Sequence, residues 1–152
     1  MQARLSLRVD KGALRRVRRF VAEFGAARRI SRAEQSRIAI LVEELLTNLM
    51  KYGELGHGRA PHVNVTLCIA GKQLSIVFED DGRAFDLLMQ PTPDLDRPLE
   101  ERPTGLLGLH IVRALSDRVS YRRVRGHNVI RLVRRLGPYR SVKPARMAAR
   151  PK

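Results

Sequence analysis

The stretch LVEELLTNLMKYG, residues 41–53, is the second half of the longest helical pattern in this 152-residue chain. Upstream, Ser31 is followed three residues later by Glu34, a capping-box signature that predicts the start of a helix. The apolar periodicity continues to about Tyr52, and Gly53 is a residue typical of a helix end. The sequence therefore predicts one long helix that is buried along most of its surface.

A polar stripe interrupts this otherwise apolar helix. It runs through Arg37, Glu44, Asn48 and Lys51, whose spacing places them on one side of a helix. Either the stripe is a narrow solvent-exposed face, in which Glu44 pairs with Asn48 or Lys51, or it lines a polar cavity. Both interpretations stay open from this stretch alone.

A second polar position lies at the end of a predicted strand. HVNVTLCIA (62–70) and QLSIVFED (73–80) alternate apolar and polar residues and predict a hairpin. Asp80 continues the apolar face of its strand, where a carboxylate is costly unless hydrogen-bond donors reach it. Either Asp80 belongs to an ordinary Asp-Asp-Gly turn, or it accepts a hydrogen bond from a ligand such as the exocyclic amine of a purine.

A third position is the glycine pair in TGLLGLHIVRALSD, residues 104–117. Gly105 and Gly108 bracket the start of a predicted helix over 108–117, whose free N–H groups suit a phosphate. Residues 86–104 are rich in Pro and Asp, and a loop of that length is commonly functional. The phosphate-loop and dinucleotide-binding glycine patterns do not occur in the sequence.

The remaining segments predict an α+β fold, a two-layer sandwich. It consists of a mixed, mostly antiparallel sheet with three helices on one face. The other predicted elements are a strand at 5–9, a helix at 12–26, and a last hairpin of 118–124 and 128–136 around Gly126-His127-Asn128. Residues 137–152 are basic and show no apolar periodicity, so we expect a disordered tail after a domain at 1–136.

Composition narrows the function classes. The chain carries a formal net charge of +15, and so high a positive charge suggests nucleic-acid binding as one possible function. The arginines, however, are spread along the chain and interleaved with apolar residues, as in elements with one solvated face. The single cysteine, Cys68, excludes an internal disulfide, and no apolar run has the length of a membrane span. We therefore expect a cytoplasmic protein that binds no membrane.

Taken in order, the three sites resemble the motifs of the GHKL ATPase superfamily with its Bergerat ATP-binding fold. EELLTNLMKYG resembles the N box, EDDGRAFD the first glycine box and GLLGL the second. The resemblance covers roughly residues 5–136. Within the superfamily the chain is most similar to the single-domain anti-sigma factor serine kinases of bacterial partner-switching systems, because of its E-L-L-T-N and D-G-R-A-F-D stretches.

The resemblance implies ATP and Mg²⁺ as ligands and gives each motif residue a role. Glu44 would act as general base, Asn48 would coordinate Mg²⁺, and Asp80 would accept from the adenine amine. The other implied nucleotide-binding residues are Lys51, Gly82, Ala84, Gly105, Leu107 and Gly108. Ala84 departs from the family pattern, which has a glycine there, and Gly126-His127-Asn128 replaces the usual Gly-Thr.

The implied function is an ATP-dependent protein serine/threonine kinase and anti-sigma factor. It would phosphorylate a STAS-domain anti-sigma antagonist and bind a sigma factor; the resemblance leaves both a monomer and a homodimer open. Two alternatives remain. One is a non-catalytic ATP-binding interaction module, and the other is a basic protein that binds nucleic acid through its arginines.

Overall fold

A computed structural model describes residues 2–54, 58–91 and 106–137. Gly105, residues 92–104 of the Pro- and Asp-rich loop, and residues 138–152 of the predicted tail lie outside this described part. The elements in chain order are β1 (Gln2–Arg8), α1 (Ala13–Ala27), α2 (Arg32–Tyr52), β2 (His62–Ala70), β3 (Gln73–Asp80), α3 (Leu106–Leu115), β4 (Arg118–Val124) and β5 (His127–Arg135).

The five strands form one sheet in the order β1-β2-β3-β5-β4. Each neighbouring pair in this sheet is antiparallel, so the mixed pairing allowed by the prediction does not occur among the described strands. The α+β sandwich with three helices is confirmed. The central pair β3–β5 sets Asp80 directly opposite Asn128, although the two residues are far apart in the chain.

The core forms where alternate strand residues meet the apolar faces of the helices. Strands β2 and β3 bury every second side chain, which is the period expected of a sheet with one covered face. Helix α1 adds Val17, Val21 and Phe24 to this core. The arginines on its other side lie at the surface, and Arg18 forms a bidentate salt bridge with Glu43 of α2, with both N–O distances at 2.8 Å.

The predicted ends of α2 are confirmed, with one change in the capping chemistry. Ser31 Oγ accepts a hydrogen bond from the Glu34 backbone N–H at 3.3 Å. The Glu34 carboxylate instead contacts Arg37 at 2.6 Å and Arg134 of β5 at 3.0 Å. Arg37 is therefore paired at the helix start, about two turns before Glu44.

The turn of the last hairpin is Arg125-Gly126, and not the predicted Gly126-His127-Asn128. Both turn residues have positive φ, 49° and 83°, as a two-residue turn between twisted strands requires. His127 pairs with Val124 and Asn128 with Arg123, so both belong to β5. The Asn128 side chain is buried, in phase with Ile130 and Leu132.

No helix in the described ranges has the length and apolar character needed to cross a lipid bilayer.

Candidate nucleotide-binding site

Asn48 from α2 and Asp80 from β3 line the same cavity, at the end of the sandwich where α2 terminates. Both side chains are buried, with 6% and 4% of their surface exposed. The polar stripe of α2 therefore faces the interior at this point. Of the two interpretations of the stripe, the polar cavity is the one found at Asn48.

Asn48 carries an unsatisfied polar atom. Its Nδ2 is buried and makes no hydrogen bond within the described part of the chain. An unsatisfied buried amide costs about 1–3 kcal/mol, and native proteins keep few of them. Such a group suits a site in which a ligand or its hydration shell completes the hydrogen bonding.

Asp80 is held from one side. Its Oδ1 accepts hydrogen bonds from the Gly82 backbone N–H at 2.9 Å and from Asn128 Nδ2 at 2.8 Å. Burial raises the pKa of Asp80, while the bonds from Asn128 and Gly82 act in the opposite direction. Because both bonds from described residues go to Oδ1, Oδ2 is the oxygen available to an amine of a ligand.

Asn128 is a member of the site that sequence reasoning missed. Its Oδ1 accepts from Tyr121 Oη at 2.9 Å and from Arg123 Nη1 at 2.7 Å, which fixes the orientation of the amide. Its Nδ2 then donates both to Asp80 and to the Arg83 carbonyl, each at 2.8 Å. The signal was its place two residues before Ile130, on the apolar face of the last strand.

Glu44 lies one helical turn before Asn48 and reaches α3. A Cβ added at Gly108 would collide with Glu44 Oε2, so a side chain there would force the Glu44 carboxylate to move. The predicted glycine of the second motif is therefore in contact with the predicted base. Glu44 borders α3 and is not part of the cavity wall formed by Asn48 and Asp80.

Gly82 is also required by close contact. A Cβ there would lie 2.8 Å from the Leu49 side chain and 3.0 Å from the Gly53 carbonyl. The neighbouring acid, Asp81, has a different role, because its Oδ1 accepts from the His62 backbone N–H at 2.6 Å. Asp81 thus fastens the loop to β2 while Asp80 points inward.

Of the predicted nucleotide-binding residues that the structure describes, Asn48 and Asp80 line the cavity, whereas Gly82 and Gly108 are absent from its wall. Lys51, Ala84 and Leu107 are all exposed and absent from its wall. Lys51 lies one turn beyond Asn48 on the polar stripe, and Leu107 precedes Gly108 on α3. Gly105 lies outside the described residues.

The cavity is closed in this conformation. Its volume is about 20 Å³, room for a single water, and a purine base is several times larger. The rings of Tyr52 and Phe85 stack at 5.3 Å, and Arg113 Nη2 donates to the carbonyls of Leu87, Leu88 and Gln90 at 3.0–3.2 Å. A purine base therefore fits only if this cavity widens.

A larger cavity of about 770 Å³ lies at the opposite end of the sandwich. Its wall includes Arg28, Arg29, Ile30 and Leu136, and it contains none of the three motifs. Volume alone would therefore select the other end of the molecule. The unsatisfied Asn48 amide and the buried Asp80 carboxylate identify the candidate site instead.

The motif geometry agrees with a known family. The sequence profile of the histidine kinase-like ATPase domain matches residues 7–134. The chain belongs to this family. The resemblance to GHKL ATPases is thereby confirmed over nearly all the described residues.

Individual relatives support this assignment. The chain is 28% identical over 102 residues to the serine/threonine-protein kinase BtrW of Bordetella bronchiseptica, covering 66% of this chain and 70% of that protein. It is similar in structure to the RsbU and RsbW domains of Rv1364c from Mycobacterium tuberculosis, with a TM-score of 0.64, 18% identity and 90% of this chain covered. The match spans 32% of that longer chain, so it supports the fold alone.

A histidine kinase domain from a blue-light activated kinase of Erythrobacter litoralis also matches. Its TM-score is 0.46 at 23% identity, over 67% of this chain and 44% of that one.

Proposed function

We propose that this protein is an ATP-dependent protein serine/threonine kinase. One observation carries the proposal: the unsatisfied Asn48 amide shares a cavity with the buried Asp80 carboxylate, while Glu44 lies one turn away against Gly108. Together these groups provide a base-recognition point, a site for phosphates with their cation, and a carboxylate beside them. Similarity to the kinase BtrW supports the same activity.

Each residue performs a separate task in this proposal. Asp80 Oδ2 accepts the adenine amine, and Gly82 permits the close approach of the base. Glu44 takes the proton of the acceptor serine as the serine oxygen attacks the γ-phosphorus and ADP leaves. Asn48 fits a magnesium site, since an amide oxygen suits a hard cation that keeps most of its waters. When bound, Mg²⁺ offsets the negative charge of the phosphates.

The protein substrate we propose is a STAS-domain anti-sigma antagonist, with a sigma factor as the alternate partner. The resemblance of the three motifs to the anti-sigma factor serine kinases supports this choice, and the similarity in sequence to the kinase BtrW is in line with it. The partners would bind alternately, because phosphorylation of the antagonist changes which of the two is held. A cytoplasmic location and a homodimer are both compatible with this role.

Nucleotide binding is tested first, by calorimetric titration of Mg·ATP and Mg·GTP. We expect micromolar affinity for ATP, about −8 kcal/mol, and weaker binding of GTP. Asp80→Asn should weaken ATP binding by about 2 kcal/mol, because its neutral amide presents a donor or a poorer acceptor to the adenine amine. Asp81→Asn is the matched control, since Asp81 contacts β2, and it should bind ATP nearly as well as the wild type.

Phosphotransfer is tested second, with candidate STAS proteins and radiolabelled ATP. Glu44→Gln should lower the rate by about 10²–10⁴-fold while ATP binding persists. Glu43→Gln is the control, because Glu43 binds Arg18 on the other side of α2. Tight ATP binding with no transfer to any STAS protein would favour a non-catalytic interaction module, and the absence of ATP binding at millimolar concentration would reject both functions.

A further inference from the structure

The sheet has a second face, which the helices do not cover. We call open face the outward-pointing side chains of the five strands, which alternate with the buried ones. Its positively charged members are Arg4, Arg8, Arg118, Arg122, Arg131 and Arg135, all exposed. Among the outward positions of the described strands, Glu79 is the single carboxylate, and it already contacts His127 at 3.0 Å.

The arginines of the open face differ from those of helix α1. On α1, Arg16 pairs with Asp10 at 3.0 Å, Arg18 with Glu43 at 2.8 Å, and Arg19 with Glu23 at 3.7 Å. Within the described ranges, the arginines of the open face make no ion pair. Ion pairs therefore offset part of the positive charge on the helical side, whereas none among the described residues offsets the arginines of the open face.

The strand register arranges these arginines as two borders. Across the sheet, Arg4 of β1 is followed by Thr66, Val77 and then Arg131 of β5, with Ser120 of β4 at the far edge. Three strand spacings separate Arg4 from Arg131, about 14 Å. Arg4 of β1 forms the first border. Arg131 of β5 forms the second, together with Arg118 and Arg122 of the neighbouring β4, which lie about 13 Å apart along their strand.

Between the borders lies a band of mostly small, uncharged side chains, which we call the neutral band; its one carboxylate, Glu79, lies between Asn64 and Val129 and is paired with His127. The band is otherwise made of outward residues of β1, β2, β3 and β5: Ser6, Asn64, Thr66, Ser75, Val77 and Val129. Ser6 Oγ donates to Asn64 Oδ1 at 2.7 Å, so these polar groups satisfy one another without a ligand. An α-helix with its side chains is about 10–12 Å wide, and it fits between the two borders.

We propose that the open face is a docking surface for an acidic amphipathic helix of a partner protein. The helix lies over the neutral band with small or apolar residues inward, and its carboxylates pair with Arg4 on one side and with Arg118, Arg122 and Arg131 on the other. Pairing relieves the mutual repulsion of the arginines and steers the encounter. The charge pattern favours a protein helix over single-stranded nucleic acid, because the outward positions of the described strands carry no Phe, Tyr or Trp side chain for base stacking.

The test uses two synthetic helical peptides of about 20 residues, a length at which alanine-rich helices form. One has an alanine face flanked on both sides by glutamates; the other has the same composition with the glutamates spread evenly around the helix. Amide chemical shifts of the wild-type protein, without nucleotide, report where each peptide binds. We expect shifts in all five strands, β1 to β5, with the first peptide only.

Charge reversal gives the second readout, by fluorescence anisotropy. Arg118→Glu/Arg122→Glu/Arg131→Glu should weaken binding of the first peptide by at least about tenfold. Arg15→Glu/Arg19→Glu/Arg32→Glu changes the net charge equally on the helical side, and it should weaken binding by less than about threefold. Should the first triple variant fail to fold, the chemical shifts of the wild type decide.

The proposal is overturned by any of four results: no peptide binding, equal binding of both peptides, equal loss in both triple variants, or shifts confined to the helices. A duplex DNA of about 20 base pairs that displaces the peptide and depends on the same arginines would reassign the surface to nucleic acid. None of these results depends on ATP binding, so the kinase proposal stands or falls separately.

Discussion

Helix α2 has a buried polar side chain near each end, and the surroundings of the two differ. Glu34, in the first turn, is 4% exposed and accepts hydrogen bonds from two arginines, Arg37 and Arg134. Asn48, in the last turns, is 6% exposed and leaves Nδ2 without a hydrogen bond to any described residue. A buried polar group with a full set of partners holds the fold together, whereas one left incomplete marks a place for a ligand.

The largest effect is expected at the satisfied end. Glu34→Gln removes the charge that balances Arg134, a residue that also donates to the Leu115 carbonyl at 2.6 Å. Breaking a buried ion pair from one side costs several kcal/mol, so we expect the free energy of unfolding to fall by about 3 kcal/mol in urea titrations. Nucleotide affinity should not change, because the site lies at the other end of α2.

Glu43→Gln is the control for this comparison. It breaks a surface pair with Arg18, whose side chain is 65% exposed, and should cost less than about 1 kcal/mol. If Glu34→Gln were no more harmful than Glu43→Gln, the assignment of Glu34 to a structural role would be wrong.

The next largest effect is expected at Asn128, which both supports the fold and contacts the proposed ligand-binding residue Asp80. Asn128→Ala leaves Tyr121 Oη, Arg123 and the Arg83 carbonyl without their common partner, which should cost about 2 kcal/mol of unfolding free energy. It also removes a donor from Asp80, which raises the pKa of that carboxyl further. ATP affinity should therefore fall, and more so in mildly acidic buffer, where calorimetry can measure it.

Asn128→Asp is the informative companion. It keeps the shape but sets a second carboxylate beside Asp80, so it should lose ATP binding more completely than Asn128→Ala. Unaltered ATP binding in both variants would show that Asn128 supports the fold alone.

At Asn48, the buried residue without a full set of partners, we expect a substitution to increase stability and not to lower it. Asn48→Leu replaces a buried amide that lacks a partner with an apolar side chain of similar size, and we expect stability to increase by about 1 kcal/mol. Binding of Mg·ATP should be lost in the same variant. Urea unfolding and calorimetry on one preparation test both statements, and a variant that loses stability instead would mean that Asn48 is satisfied in the native protein.

Local patterns were enough to predict much of the fold and part of the site. The alternation in 62–70 and 73–80 gave the bounds of β2 and β3, and it placed Asp80 on the buried face, which the structure confirms. The three-residue spacing of Ser31 and Glu34 located the start of α2. Each of these depends on neighbours within a few positions, where periodicity is informative.

What sequence reasoning missed depends on partners distant in the chain. Arg134 reaches Glu34 across 100 positions and Asn128 reaches Asp80 across 48, and both contacts follow from strand register. A one-residue difference in the last turn decides whether Asn128 points inward. The stacking of Phe85 on Tyr52 that closes the cavity likewise requires the folded loop.

The smallest expected effect is a difference in how the stability contributions of the two buried carboxylates, Glu34 and Asp80, depend on pH. Burial tends to raise the pKa of Glu34, but its contacts with Arg134 and Arg37 outweigh burial and bring the pKa below its usual 4.5. Its stabilisation is therefore present above that value and lost as the pH falls through the folded-state pKa. For Asp80, burial raises the pKa above its usual 3.8, so its contribution is present at low pH and lost as the pH rises.

Urea unfolding between about pH 3 and pH 7 should show these opposite signs. The deficit of Glu34→Gln relative to the wild type should shrink as the pH falls. Asp80→Asn should instead gain stability relative to the wild type as the pH rises, because the wild type alone must then bury a charge. The same slope for both variants would contradict the contrast between a carboxylate that arginines neutralise and one whose Oδ2 is left for a ligand.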